Sequence, residues 1–281
     1  MGKYHRLLVG VDGSEASFHA LRESCKLTGS WVTVVAVAPF YEGDLRSVWV
    51  SNPRALLTEA CNQALKEAQE LADEVGTVIN TVCAVGAPHE QIVELAARGS
   101  RDLIVMGAKG QSLVERALLG SVSRRVIGYS PVDVLVVPFK AQVGWSKILL
   151  ATDGSPPSQK ATARALELAQ DYGSELTVLT VRESLGWKSE EANLAAVARQ
   201  DPLQDHVAKI ALEAKSRNLS AKGLVLNGTP YNTITELAAQ EQIDLIVMGS
   251  HGHTGLKRLL MGNVTEKVIG HASCPVLVIR R

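Results

Sequence analysis

The chain repeats itself along its length. Residues 9–14 read VGVDGS, and residues 150–155, which lie 141 positions later, read LATDGS. Three further pairs of segments recur at an interval of 142 residues: 86–88 with 228–230, 107–110 with 249–252, and 134–137 with 276–279. A near-constant interval means that one folding unit is written twice. We therefore predict two domains, residues 1–140 and residues 145–281, joined by a short polar connector.

Short apolar runs alternate with helical patterns in each half. In the first half we predict strands at residues 6–11, 31–38, 77–85, 102–106 and 132–137, with helices between them. Continuously apolar strands between helices are typical of a parallel sheet that is covered on both faces. The predicted fold class is α/β, with a doubly wound, five-stranded parallel sheet in each half. Sheets of this kind bind ligands at the carboxyl ends of the strands, where the strand order switches.

The last strand of each half is an apolar edge. Residues 132–137 and 275–279 are rich in valine and carry no charge that would discourage pairing, apart from Asp133 at the start of the first. An unpaired apolar edge invites pairing with an equivalent edge. We expect the two strands to meet around a pseudo-two-fold axis, which would make the chain a fused dimer.

A glycine pattern follows the fourth strand of each half. Two glycines spaced G-x-x-G are followed, after nine residues, by Gly120-Ser121 in the first half and Gly262-Asn263 in the second. Glycine lets backbone N–H groups approach a phosphate, and the helix that follows adds unpaired donors and a positive dipole end. A turn that merely requires glycine is the alternative. Two copies with identical spacing favour a phosphate site.

Two acidic residues and one lysine stand beside this predicted cleft. Asp12 and Asp153 each follow the first strand of their half, where a carboxylate can accept hydrogen bonds from ribose hydroxyls. An Asp-Gly turn or a local helix cap is the other interpretation. Lys109 either adds a cation near the phosphates or is a solvated loop lysine.

Histidine and cysteine show no pattern of a metal site or of a redox pair. His251, His253, His271 and Cys274 gather in the second half, but the first half lacks the set, so we interpret them as polar loop residues. The four cysteines form no C-x-x-C pair, and we expect reduced thiols. The sequence contains no Walker loop, nucleophile elbow or kinase motif set.

Charge and hydropathy exclude several classes of partner. The chain has 29 basic and 29 acidic residues, divided almost equally between the halves, so neither half has the basic excess of a nucleic-acid binder. No apolar run reaches 18 residues, and the first residues show no signal-peptide pattern. These features predict a cytoplasmic protein that binds neither nucleic acid nor membrane.

The motifs resemble those of the universal stress protein family in its tandem, two-domain form. The resemblance rests on residues 11–14, 105–110 and 120–121 in the first half, and on residues 152–155, 248–255 and 274–279 in the second. It covers nearly all 281 residues, and the glycine pattern is fairly specific for the ATP-binding branch. The resemblance implies a Rossmann-like domain, similar to adenine nucleotide alpha hydrolases, that dimerises through its last strand.

The resemblance also implies a set of nucleotide-binding residues in each half. Asp12 would bind ribose and the Val37 backbone would pair with adenine. Six first-half residues would hold ribose and phosphates: Gly107, Gly110, Gly120, Ser121, Val122 and Ser123. Met106 and Lys109 complete the predicted first-half set. The second-half counterparts of this set are Asp153, Val181, Met248, Gly249, Gly252, Gly262, Asn263, Val264 and Thr265. Asn263 departs from the family pattern, which has Ser or Thr there, so the two halves are expected to bind unequally.

These features together predict a stress-response regulator that binds ATP, or ADP or AMP, as a state sensor. Mg²⁺ can accompany the phosphates, and the expected partners are an adenine nucleotide and a protein. Whether the tandem chain also pairs with a second copy stays open. Residues 40–53 and 183–202 follow the second strand of each half and could close over the nucleotide or form a partner surface. Two alternatives stay open: a slow ATPase or autophosphorylating enzyme that uses Ser121 or Ser123, and a nucleotide-free interaction scaffold.

Overall fold

The computed structural model describes residues 4–27, 29–39, 53–108, 119–183, 201–252 and 261–280. They form two compact units, Tyr4–Gln142 and Val143–Arg280. Both segments predicted to close over a nucleotide, residues 40–53 and 183–202, lie almost wholly outside the described residues. Within the described residues, no helix has the length and apolarity needed to cross a membrane.

The first unit is a five-stranded parallel sheet with helices on both faces. Its elements are β1 (Arg6–Gly10), α1 (Glu15–Cys25), β2 (Trp31–Ala38), α2 (Pro53–Glu74), β3 (Ile79–Val85), α3 (Pro88–Arg98), β4 (Leu103–Gly107), α4 (Ser121–Tyr129) and β5 (Asp133–Val137). The strand order is β3-β2-β1-β4-β5, so the direction of winding switches between β1 and β4. Val9 of β1 pairs with Val34 on one side and with Val105 on the other. The predicted doubly wound parallel sheet is confirmed.

The second unit repeats this architecture. Its elements are β6 (Lys147–Ala151), α5 (Pro156–Tyr172), β7 (Glu175–Arg182), α6 (Pro202–Ser216), β8 (Ala221–Asn227), α7 (Pro230–Gln240), β9 (Leu245–Gly249), α8 (Asn263–His271) and β10 (Val276–Ile279). The strand order β10-β9-β6-β7-β8 is parallel throughout and corresponds to that of the first unit. The predicted pairing of the two last strands stays a prediction.

Burial explains why the strands are continuously apolar. All five residues of β4 and all five of β5 are buried, because α1 packs against one face of this sheet and α4 against the other. Helix α1 begins directly after Ser14, whose Oγ accepts a hydrogen bond from the Ser17 N–H at 3.2 Å. It ends at Cys25, where the Lys26 N–H turns back to the Glu23 and Ser24 carbonyls.

One expectation about the cysteines is wrong. Cys61 of α2 and Cys83 of β3 form a disulfide, with their Cα atoms 6.0 Å apart. Cys25 and Cys274 remain thiols, and burial raises the pKa of the Cys274 thiol to about 12. The two cysteines meet because α2 packs against β3. This tertiary contact could not be inferred from the spacing of the cysteines, which are 22 residues apart.

Thiol titration should distinguish these cysteines. The denatured, non-reduced protein is expected to react with two equivalents of a thiol reagent, and the reduced protein with four, because only Cys25 and Cys274 are free. A Cys83→Ser variant serves as the control, since it should expose three thiols without reduction. Four reactive thiols in the non-reduced wild-type protein would contradict the disulfide.

Candidate functional site

A cavity of about 290 Å³ opens at the carboxyl ends of β1, β2 and β4 in the first unit. It lies where the strand order switches, as predicted for a doubly wound sheet. Its walls come from strands β1, β2 and β4, from the loops that follow β1 and precede α4, and from helices α1, α3 and α4. The lining residues are Gly10, Val11, Asp12, Ser17, Val35, Val37, Pro88, Ile92, Met106, Gly107, Gly120, Ser121, Val122 and Ser123.

Eight predicted site residues of the first half line this single cavity. They are Asp12, Val37, Met106, Gly107, Gly120, Ser121, Val122 and Ser123. The two others, Lys109 and Gly110, lie outside the described residues, and their role stays a prediction. The motifs therefore bring together residues that are as much as 111 positions apart in the sequence.

One wall of the cavity is apolar. Val35 and Val37 both face it because side chains on a strand alternate with a period of two. Ile92 of α3 and Met106 of β4 complete this wall. Such a slot can accept a flat, largely apolar ring. Val35 and Ile92 were not among the predicted site residues, although the two-residue period from Val37 could have indicated Val35.

Gly10 sets the depth of the cavity. A Cβ at this position would lie 2.8 Å from Met106 Sδ and 3.4 Å from Ile92 Cδ1, so glycine lets both side chains approach the end of β1. The second unit has Ala151 at the equivalent position, where a methyl group occupies this space. The two units therefore differ at this position. The local sequence pattern around Gly10 did not predict this difference.

Gly107 and Gly249 also have a packing role. A Cβ at Gly107 would lie 2.9 Å from the Ala16 carbonyl oxygen, and one at Gly249 would lie 2.9 Å from the Pro157 carbonyl carbon. Because these neighbours are backbone atoms of a helix's first turn, glycine is needed for the helix to pack on the strand end. The glycine after the fourth strand therefore has a structural reason that is independent of any phosphate.

Asp12 takes part in a local turn and also lines the cavity. Its Oδ1 accepts hydrogen bonds from the Ser14 N–H at 3.1 Å and from Ser14 Oγ at 2.6 Å. Asp153 likewise accepts from the Ser155 N–H at 3.0 Å. The turn interpretation and the binding interpretation are thus compatible, because the turn fixes a carboxylate that lies at the cavity wall.

The N-terminus of α4 forms the other wall. Gly120 precedes the helix in an extended conformation, and its N–H donates to the Ala108 carbonyl at 2.9 Å. Ser123 is buried, and its hydroxyl donates to the Gly107 carbonyl at 3.1 Å, which ties the helix to the end of β4. The first-turn N–H groups and the positive end of the helix dipole suit an anion at this wall.

The second unit builds its helix in the same way. Thr265 Oγ1 donates to the Gly249 carbonyl at 3.0 Å, and the Gly262 N–H donates to the Ser250 carbonyl at 2.8 Å. Gly252 faces the carboxylate of Asp153, whose Oδ2 atom occupies the place that a Cβ would need. The other predicted residues lie on the equivalent elements: Val181 on β7, Met248 on β9, and Asn263 and Val264 on α8.

Helices α4 and α8 carry opposite charges at one equivalent position near their N-termini. The 142-residue interval matches Arg124 of α4 with Glu266 of α8, each in the first turn or directly after it. A basic residue near a helix N-terminus adds to the attraction for an anion, whereas an acidic residue opposes it. At this position, the start of α4 is therefore more favourable for an anion than the start of α8.

The histidines of the second half have separate partners. His251 Nδ1 lies 2.9 Å from Ser250 Oγ, whereas His271 Nδ1 lies 2.7 Å from the Lys267 carbonyl and its ring packs against Tyr231. His253 lies outside the described residues. Among the residues that the structure describes, no group of three or more His, Cys, Asp or Glu side chains could hold a metal ion.

Fold and cleft together define the class of this chain: two copies of a doubly wound α/β domain, the first with a glycine-lined cleft at its strand switch and the second with glycines at the equivalent positions. The sequence pattern of the universal stress protein family matches residues 3–138 and again residues 144–280. The chain therefore belongs to the universal stress protein family and carries its domain twice.

Relatives that match the whole chain and relatives that match half of it both support this membership. A universal stress protein of Mycolicibacterium smegmatis is 27% identical over 292 residues, which covers 98% of this chain and 96% of that protein. One from Methanocaldococcus jannaschii is 35% identical over 141 residues, 49% of this chain and 83% of that protein. A universal stress protein crystal structure from Archaeoglobus fulgidus covers all of this chain and 97% of its own, with a TM-score of 0.73 and 22% identity, and so shares the fold.

Proposed function

We propose that this protein binds adenine nucleotides, with ATP in the first cleft, and acts as a nucleotide-responsive regulator in the stress response. The observation that carries the proposal is the first cavity, in which an apolar slot, a fixed carboxylate and a helix N-terminus meet. Its volume of about 290 Å³ is close to the lower end of ligand pockets, which are roughly 300–1,000 Å³.

Each part of a nucleotide has a matching wall in the first cleft. The adenine ring would lie between the β2 valines and Ile92 and Met106, with the Val37 backbone reading its edge. Asp12 would accept a hydrogen bond from a ribose hydroxyl. The phosphates would lie at Gly120, Ser121 and Val122 at the start of α4, where N–H groups and the helix dipole favour negative charge. We propose that Lys109 and Gly110 complete this end.

The second cleft would bind nucleotide with a different balance of contacts. Asp153, Val181, Gly249 and Gly252 repeat the first-half residues, which supports a second site. Asn263 replaces Ser121 and Glu266 replaces Arg124, so the attraction for a polyphosphate is weaker there. Mg²⁺, if it accompanies the phosphates, would offset part of this difference.

Binding, rather than turnover, is the role that the side chains favour. The hydroxyl of Ser123 is committed to the Gly107 carbonyl inside the protein, so it is a poor phosphate acceptor. Bound nucleotide can act as a signal because a ligand that binds one conformation better shifts the population toward it. We propose a cytoplasmic location, a protein partner that reads this state, and pairing of the tandem chain with a second copy.

Calorimetric titration of the full chain with ATP tests the proposal, with labelled ATP turnover followed on the same sample. We expect saturable binding with heat released and phosphate release no faster than in buffer alone. Hydrolysis above that blank that disappears in a Ser121→Ala variant would instead support the slow-enzyme alternative. A protein that takes up no nucleotide would favour the scaffold alternative.

A further inference from the structure

The loop after β6 in the second unit has a polar neighbour that has no counterpart in the first unit. His206 of α6 approaches the loop after β6, and its Nε2 lies 3.1 Å from Thr152 Oγ1. Its ring atoms lie 3.7–4.0 Å from the point that a Cβ at Gly154 would occupy, next to Asp153. Thr152 is buried, whereas His206 is half-buried and Asp153 is exposed, so both the imidazole and the carboxylate can meet a ligand.

The equivalent positions of the first unit are apolar. Val11 stands where the second unit has Thr152, at the 141-residue interval. Helices α2 and α6 can be aligned by the residue that follows each of them. Gly76 and Asn218 both have a left-handed φ, +69° and +60°, and are 142 residues apart. This alignment places Ala64 opposite His206. The first cleft therefore has a valine and an alanine where the second has a threonine and a histidine.

The proton of neutral His206 is assigned to one ring nitrogen from the hydrogen bonds around Thr152. Ser158 Oγ donates to the Ser155 carbonyl at 2.9 Å, so it can only accept from Thr152 Oγ1, which lies 3.2 Å away. The single hydroxyl hydrogen of Thr152 is thereby used. With Nε2–H of His206 donating to Thr152 Oγ1 at 3.1 Å, each hydroxyl hydrogen has a partner, and Thr152 Oγ1 also accepts from the Gly154 N–H at 3.3 Å; this tautomer is therefore the one assigned. Neutral His206 consequently carries an unprotonated Nδ1, which is a hydrogen-bond acceptor.

Nδ1 of His206 hydrogen-bonds to no residue that the structure describes. The Asp153 carboxylate, which is close enough to act on the pKa of His206, has further acceptor capacity besides the hydrogen bond that its Oδ1 accepts from the Ser155 N–H. Two neighbouring acceptors suit a ligand with two neighbouring donors, and the 2′- and 3′-hydroxyls of a ribose are such a pair. A site that hydrogen-bonds a hydroxyl discriminates strongly against an analogue that lacks it, because a polar group of the protein is then left unpaired.

We infer that His206 is a sugar-recognising residue of the second cleft, where its Nδ1 accepts a hydrogen bond from a ribose hydroxyl beside Asp153. The second cleft therefore selects ribonucleotides over deoxyribonucleotides more sharply than the first. This inference rests on the proposed binding of adenine nucleotides. It also fits the weaker anion site at α8, because the sugar then supplies a larger share of the binding free energy.

Protonation would cancel this acceptor. Burial lowers the pKa of His206, which opposes the raising effect of the nearby Asp153 carboxylate, while Lys209 on the same helix lowers it further. Asp201 at the start of α6 forms an ion pair with Arg182 of β7, and Asp205 precedes His206 on the helix. Since the neutral form accepts the hydroxyl, affinity in the second cleft should fall as the pH drops through this lowered pKa.

The test compares ATP with 2′-deoxyATP and 3′-deoxyATP by calorimetry in two backgrounds of the full chain. Val122→Trp fills the first cleft and reports the second, and Val264→Trp fills the second and reports the first. In the Val122→Trp background we expect a preference for ATP of about tenfold over at least one deoxynucleotide, the effect of one hydrogen bond to an otherwise unpaired acceptor. The preference should be smaller in the Val264→Trp background.

Two substitutions of His206 separate recognition from folding. His206→Asn keeps an acceptor near the position of Nδ1 and should retain most of the ribose preference. His206→Gln, whose polar atoms reach the position of Nε2, should lose it while leaving the fold intact. The affinity of the Val122→Trp protein for ATP should also fall on acidification. The fall should be steeper than in the Val122→Trp/His206→Asn double variant. The Val264→Trp protein serves as the baseline for protonation of ATP itself.

Equal ratios of ATP to deoxyATP affinity in the two clefts, or an unchanged ratio in His206→Gln, would overturn the inference while leaving the proposed function in place. Nucleotide binding in the first cleft alone would also overturn it, because the second cleft would then not be a ribose site. Loss of binding in both clefts would instead contradict the proposed function itself.

Discussion

A Val122→Trp substitution should remove nucleotide from the first cleft and leave the second cleft occupied. Val122 lies in the first turn of α4 and lines the cavity without being fully buried. An indole at this position would fill much of a cavity of about 290 Å³. We expect at least about a 100-fold loss of first-cleft affinity, equivalent to roughly 2.7 kcal/mol, with the number of nucleotides per chain falling from two to one.

Arg125→Trp is the matched control for this substitution. It introduces the same side chain on the same helix, at an exposed position that does not line the cavity. Binding to both clefts should be retained in this variant. Equal loss of binding in the two tryptophan variants would show that a bulky residue on α4 acts through the helix and not through the cavity.

A Gly107→Ala substitution should destabilise the first unit by about 2–3 kcal/mol, the usual effect of overpacking against a rigid neighbour. A methyl group there would lie 2.9 Å from the Ala16 carbonyl oxygen and 3.2 Å from the Ser17 nitrogen. Because these are backbone atoms in the first turn of α1, the whole helix must shift to relieve the contact. Gly249→Ala should have the same effect in the second unit, through the backbone of Pro157.

Hydrogen exchange of the full chain measures this effect, with peptides from the unchanged unit as the internal reference. Gly10→Ala is the control, because a methyl group there meets the flexible end of Met106 at 2.8 Å and the second unit already has Ala151 at this position. We expect Gly10→Ala to change exchange far less than Gly107→Ala. Similar exchange in Gly107→Ala and wild-type protein would mean that the helix does not depend on this close approach.

The repeat and the apolar periodicity were sufficient to predict the fold of each unit. Strand β2 begins and ends where the pattern predicts, because a β-branched run is a local signal. Strand β3 instead begins at Ile79, two residues late. Gly76 and Thr77 terminate α2. Gly76 has a φ of +69°, and the Thr77 N–H donates to the Ala72 carbonyl at 2.9 Å.

The sequence predicted the location of the candidate site but not every role of its residues. The glycine motifs located the cleft, yet Gly107 is also required for packing of α1, and the spacing alone could not separate the two demands. Ile92 and His206 come from helices far along the chain, so their position beside the cleft depends on tertiary packing. The Cys61–Cys83 pair was missed for the same reason.

Native mass spectrometry of the full chain at increasing ATP concentration tests most directly whether these clefts hold adenine nucleotide. We predict two nucleotides per wild-type chain, with the first bound more tightly, and one per chain in Val122→Trp. Wild-type protein that remains without nucleotide at millimolar ATP, or Val122→Trp protein that still binds two, would contradict the assignment of nucleotide binding to the clefts at the strand switches.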